Sequence, residues 1–148
     1  PPVTGVGVLA FVSVKLVAYA AWCRLGLAVL APERPASPLR RAGTLAVVRL
    51  ALGLLLGWLF VLGLASLFPA PNRLGVPPFG LLAGSVLIRF LEWSFVGALA
   101  AGRARSARAV LLGRSGKEHL WRVGGVALSF ATDLAGLLGA GALGLVPC

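Results

Sequence analysis

The sequence contains no methionine, one histidine, one tyrosine and two cysteines, and only four of its 148 residues are acidic. Each scarcity closes off a class of chemistry. A lone His119 cannot assemble a metal site without distant partners. Cys23 and Cys148 lie too far apart to form a CxxC unit, so neither a thiol redox centre nor a disulfide framework organises the chain. Glycine-rich phosphate loops, nucleophile motifs and metal-spaced clusters do not occur. No catalytic residues and no cofactor can be nominated, and an enzyme is the less favoured class. Charge is scarce as well: 12% of residues are charged, against about 25% in ordinary soluble domains.

What fills the chain instead is apolar sequence, 59% of it, with a mean hydropathy of +0.96. Four long apolar runs stand out, and no strand-period alternation competes with them. They predict helices at about 3–23 (extendable to Leu30 past Arg24), 44–68, 79–101 and 123–146. About 20 apolar residues at 1.5 Å per residue cross a hydrocarbon core of roughly 30 Å. The expected fold is all-α, a single domain over residues 1–148 made of four transmembrane helices. Thr44 is suited to cap the second helix. Ala31–Gly43, with three prolines, reads as a loop, and Pro69-Ala70-Pro71-Asn72 ends the second helix. No basic residue precedes the first run and Lys15 interrupts it, so it is expected to be a retained helix rather than a signal peptide.

The excess of basic residues, a net charge of +10, is explained by their placement. Arg24, Arg34, Arg40, Arg41, Arg103, Arg105, Arg108, Arg114, Lys117 and Arg122 fall at the ends and loops of one side, and Arg73 alone on the other. That asymmetry predicts both termini on the non-cytoplasmic face, as in a bacterial inner-membrane protein. It removes the need for a nucleic-acid partner. Arg49, Arg103, Arg105 and Arg108 are candidates for contact with anionic lipid, and Val110-Leu111-Leu112 for the interface.

The run Phe79–Ala101 carries Arg89 and Glu92 near its middle. Counted from the outer helix ends, Lys15 lies about 18 Å deep, Arg89 about 15 Å, and Glu92 and Asp133 about 20 Å. Arg49, at about 28 Å, is expected to snorkel to the inner surface. The four deep charges sum to zero. Arg89 and Glu92, three apart, are expected to pair within one helix, leaving Lys15 to pair with Asp133. Such a neutral layer fits a structural role better than an ion path, which would leave one sign in excess.

Small residues at four-residue spacing mark candidate helix-packing faces: Gly53 and Gly57, Gly80 and Gly84, and Gly136, Ala140 and Gly144. Trp22 and Trp121 are placed at the inner interface, and Trp58 and Trp93 deeper. Four short helices with arginines near the cytoplasmic ends loosely resemble the trimeric glutathione-handling membrane enzymes. The Glu-Arg…Arg…Asn pattern entering their second helix is missing, since Arg40, Arg41 and Arg49 lack the accompanying Asn and Glu. Small multidrug exporters also have four helices, but they carry their key carboxylate in the first, where this chain has Lys15. The expectation is therefore a non-catalytic subunit or scaffold, with the bilayer and other membrane subunits or further copies as partners. A small oligomeric transporter or channel is the alternative, and a transferase-type membrane enzyme ranks third.

Overall fold

The computed structural model describes residues 5–31, 37–67, 78–102, 107–113 and 115–142. These form five helices: α1 (Gly5–Leu30), α2 (Pro38–Leu67), α3 (Pro78–Ala100), α4 (Ala107–Leu112) and α5 (Gly116–Ala142). No strand occurs among the described residues.

Two helices begin earlier than expected, and local chemistry explains both. Proline is well suited to the first helical position, where its missing N–H costs nothing. Accordingly α2 starts at Pro38, with the Arg41 amide donating to the Ser37 carbonyl at 3.1 Å. Thr44 is not a cap: it lies inside α2, its hydroxyl donating back to the Arg40 carbonyl at 3.1 Å. α5 starts at Gly116, not near Val123, because Ser115 caps it. The Glu118 amide donates to Ser115 Oγ at 3.3 Å and the His119 amide to the Ser115 carbonyl at 3.2 Å. Within the basic stretch before Val123, residues 107–112 and 116–122 are therefore helical, in α4 and the start of α5. Gly102 (φ +68°) ends α3 and Gly113 (φ +62°) ends α4, both in the left-handed region that glycine tolerates.

Side-chain pairs fix the relative directions. Trp22 meets Trp121 and Lys15 meets Asp133, so α1 and α5 are antiparallel. Ser94 meets Arg122 and Arg89 meets Asp133, so α3 and α5 are antiparallel. Arg49 meets Glu92 and Phe60 meets Gly84, so α2 and α3 are antiparallel too. The four long helices thus run up, down, up and down, with the start of α1 and the end of α5 at the same end.

Three helices are long and apolar enough to cross a membrane: Gly7–Leu30 of α1, Pro38–Gly63 of α2 and Gly80–Ala100 of α3. The outer surface agrees with that solvent. Leu9 (69%), Val17 (71%), Leu54 (69%) and Trp58 (62%) are largely exposed. Meanwhile Arg49, Glu92, Glu118 and Arg122 are buried. A soluble domain distributes these residue types the other way round. This is a membrane protein.

The core is tryptophan set against glycine. Trp22 Nε1 donates to the Trp121 carbonyl and Trp121 Nε1 to the Trp22 carbonyl, both at 3.1 Å. Trp22 seats on Gly124. A Cβ on Gly26 would lie 2.6 Å from the Trp121 ring, and one on Gly97 3.1 Å from it. Trp93 is fully buried, seats on Gly125, and stacks edge-to-face on Tyr19 and Trp121 at 5.6 and 5.2 Å. Trp121 is therefore a core residue with Trp22 packed against that core, and Trp58 faces outward from the bundle.

Candidate functional site: the polar centre

Five charged side chains from four helices meet inside the bundle. Arg49 of α2 pairs with Glu92 of α3 at 2.6 Å, the two being 2% and 3% exposed. Asp133 of α5 is shared, one carboxylate oxygen pairing with Lys15 of α1 and the other with Arg89 of α3. The Lys15–Asp133 pair is as expected. The Arg89–Glu92 pair within one helix is not: each of those residues reaches across to a different helix instead. Helix geometry makes this reasonable, since an i,i+3 neighbour offers a few tenths of a kcal/mol. A cross-helix partner also satisfies a second buried charge.

Arg49 is the largest departure from expectation. It does not snorkel, because Glu92 and the hydroxyl of Ser129 hold its guanidinium inside the bundle. Its guanidinium lies 5.1 Å from the Tyr19 ring and 5.2 Å from the Trp93 ring, and Nη2 donates to Ser129 Oγ at 3.1 Å. The aromatic faces and the carboxylate together make burial of the cation tolerable. Adding Arg49 changes the sum: three cations stand against two carboxylates, and the layer is not neutral.

Ser129 is a hub that nothing in the sequence singles out. Its hydroxyl donates to the Gly125 carbonyl at 3.0 Å. It accepts from Arg49, from Trp93 Nε1 at 3.0 Å and from the Tyr19 hydroxyl at 3.4 Å. A hydroxyl has two acceptor lone pairs, so the longest of the three, from Tyr19, is the weakest. Ser129→Ala would strand these buried donors, and a loss of about 1–3 kcal/mol is expected. Thermal melts of the variant in nanodiscs check it; a melt identical to the parent would remove Ser129 from the network.

A second buried pair lies nearer the α4 end. Arg122 and Glu118 of α5, 0% and 1% exposed, pair at 2.5 Å. Arg122 Nη1 also donates to Ser94 Oγ of α3 at 3.1 Å and to the Leu111 carbonyl of α4 at 3.0 Å. Arg122, read as a loop charge, is thus a clamp joining three helices. The i,i+4 spacing from Glu118 was the available signal.

The small-residue faces divide. Gly136 receives the Phe11 ring of α1 and Gly84 the Phe60 ring of α2, side chains rather than a neighbouring backbone. Gly80 is exposed. Gly53 does not admit another backbone; a Cβ there would lie 2.9 Å from Arg49 Nη1, so its missing side chain makes room for the guanidinium. A Cβ on Gly57 would meet nothing within 4 Å. Both line a cleft of about 170 Å³ between α1, α2 and α3, with Lys15, Arg49, Arg89 and Glu92 on its walls. Arg103, Arg105 and Gly144, and the side chains of Arg108 and Ala140, lie outside the described residues. Among the described residues no group of three or more His, Cys, Asp or Glu could hold a metal ion.

No protein-family model, curated protein or solved structure matches the chain, so a functional reading rests on this polar centre and the surface around it.

Proposed function

We propose that the protein is an integral membrane bundle of four transmembrane helices, α1, α2, α3 and α5, serving as a non-catalytic subunit or scaffold of a larger membrane assembly. The observation that carries this reading is that each charge of the polar centre is paired with one from another helix. Such cross-links fix register and order, which is the best-supported use of buried ion pairs. They also speak for α5 as a fourth crossing helix. Asp133 sits level with mid-helix residues of α1 and α3. Beyond its first turn, where Lys117 and His119 are exposed, the polar residues Arg122, Ser129 and Thr132 of α5 are buried, leaving Leu120, Val123 and Leu134 outside. On the outward face of α2, Leu54, Leu55, Trp58 and Leu62 offer an apolar surface to lipid, to other subunits or to further copies.

In this reading the ends carrying Arg40, Arg41 and Lys117 face the cytoplasm of a bacterial cell and both termini face out. Ser106→Cys should react with a membrane-impermeant maleimide only after the cells are opened. Labelling in intact cells would reverse the orientation. Mild solubilisation tests the assembly: a stoichiometric larger partner is expected, and a homogeneous self-assembly would favour a transporter. That second reading has one observation behind it, the surplus positive charge beside the cleft.

A further inference from the structure

We propose that the cleft between α1, α2 and α3 is a binding site for one small diffusible anion of halide or nitrate type. This goes beyond the scaffold reading and does not depend on it. Its walls carry three cations, Lys15, Arg49 and Arg89, and one carboxylate, Glu92. Counting Asp133, the one carboxylate that Lys15 and Arg89 share from α5, the centre still holds one more positive charge than negative. A lone surplus charge among apolar helices is costly, and a single bound anion cancels it.

Hydrogen-bond capacity points the same way. Two guanidinium groups and one ammonium bring about thirteen N–H donors, whereas two carboxylates offer about eight lone-pair sites. Arg49, 2% exposed, has its Nε without an acceptor. The space is suited to a small ligand. A water molecule's share of liquid is about 30 Å³, so about 170 Å³ takes a small anion with part of its hydration. Gly57 keeps one wall bare, and a Cβ there would meet nothing within 4 Å. A lipid phosphate is the less suitable occupant, because the charges sit mid-helix and headgroups lie at the helix ends.

The test uses the full chain in phosphatidylcholine nanodiscs, with sodium nitrate replacing sodium gluconate at constant ionic strength. The melting temperature should rise saturably by a few degrees, as expected for a ligand that binds only the folded state. Gly57→Leu should abolish the rise while keeping its own melting temperature in gluconate, because it adds bulk at a cleft-lining position where a Cβ meets nothing within 4 Å. Arg89→Gln leaves Asp133 paired with Lys15 and should also abolish the rise, so it decides the matter should Gly57→Leu fail to fold. Three results would overturn the proposal. They are no saturable rise in the parent, an equal rise in both variants (a bulk salt effect), and a rise seen only with phosphatidylglycerol present, which would mean headgroup binding.

Discussion

Glu92→Gln should be the most damaging single substitution in the membrane interior, lowering stability by about 3–5 kcal/mol, the usual consequence of stranding one member of a buried ion pair. The partner left behind is Arg49, 2% exposed and packed between Tyr19, Trp93 and Gly53. A guanidinium does not deprotonate to escape such a site. The remedy is specific. Glu92→Gln combined with Arg49→Met should recover most of the loss, because removing both charges also removes the desolvation cost. Glu92→Gln combined with Arg89→Gln should recover little, since Arg89 answers to Asp133. Thermal stability of the singles and doubles in nanodiscs measures this. Equal rescue by the two doubles would mean that Glu92 belongs to Arg89 after all. Asp133→Asn should cost less than Glu92→Gln, because Lys15, Arg89 and Asp133 retain 13%, 21% and 26% exposure.

Gly125→Leu should be nearly as severe for a different reason. The Trp93 ring lies where the new side chain must go, and Trp93 is itself fully buried with no room to retreat. Overpacking typically costs about 1–3 kcal/mol. Displacing Trp93 also breaks its bond to Ser129 and its two edge-to-face contacts, adding about 1 kcal/mol or more. The adjacent Gly124→Leu should act through Trp22 and loosen α1 from α5. Gly57→Leu is the control, since a Cβ there meets nothing within 4 Å. Melting temperatures should fall steeply for the first two and stay near the parent for the third. If Gly125→Leu melts like the parent, Trp93 is not the wedge that holds α3 against α5.

These outcomes trace back to how the residues announce themselves. The depth of Lys15, Arg89, Glu92 and Asp133 is legible, because helical rise converts sequence distance into height along an axis. Their pairing is not, because it depends on which faces of neighbouring helices meet. Arg49 shows how one local error spreads. Expecting its long side chain to snorkel from a position near the inner end put the arginine at the surface, made the layer neutral and so weakened any case for an anion, whereas it turns inward to Glu92. The four-residue glycine spacing was ambiguous for a related reason. The same gap accepts a helix backbone, a phenyl ring at Gly84 or a guanidinium at Gly53, and only the neighbour decides.

Sequence alone determined the solvent and the class: scarce charge and long apolar runs without strand-period alternation point to helices in a membrane, where only helices and closed barrels satisfy the backbone polar groups. It also placed the charged residues at a common depth. The tertiary structure decided everything that depends on contact between helices: the exchange of partners among the ion pairs, the burial of Arg49, the tryptophan–glycine wedges and the hub at Ser129. The reason is that side-chain periodicity within a helix specifies a face, whereas the residue opposite that face is set by crossing angle and offset, to which distant parts of the chain contribute together.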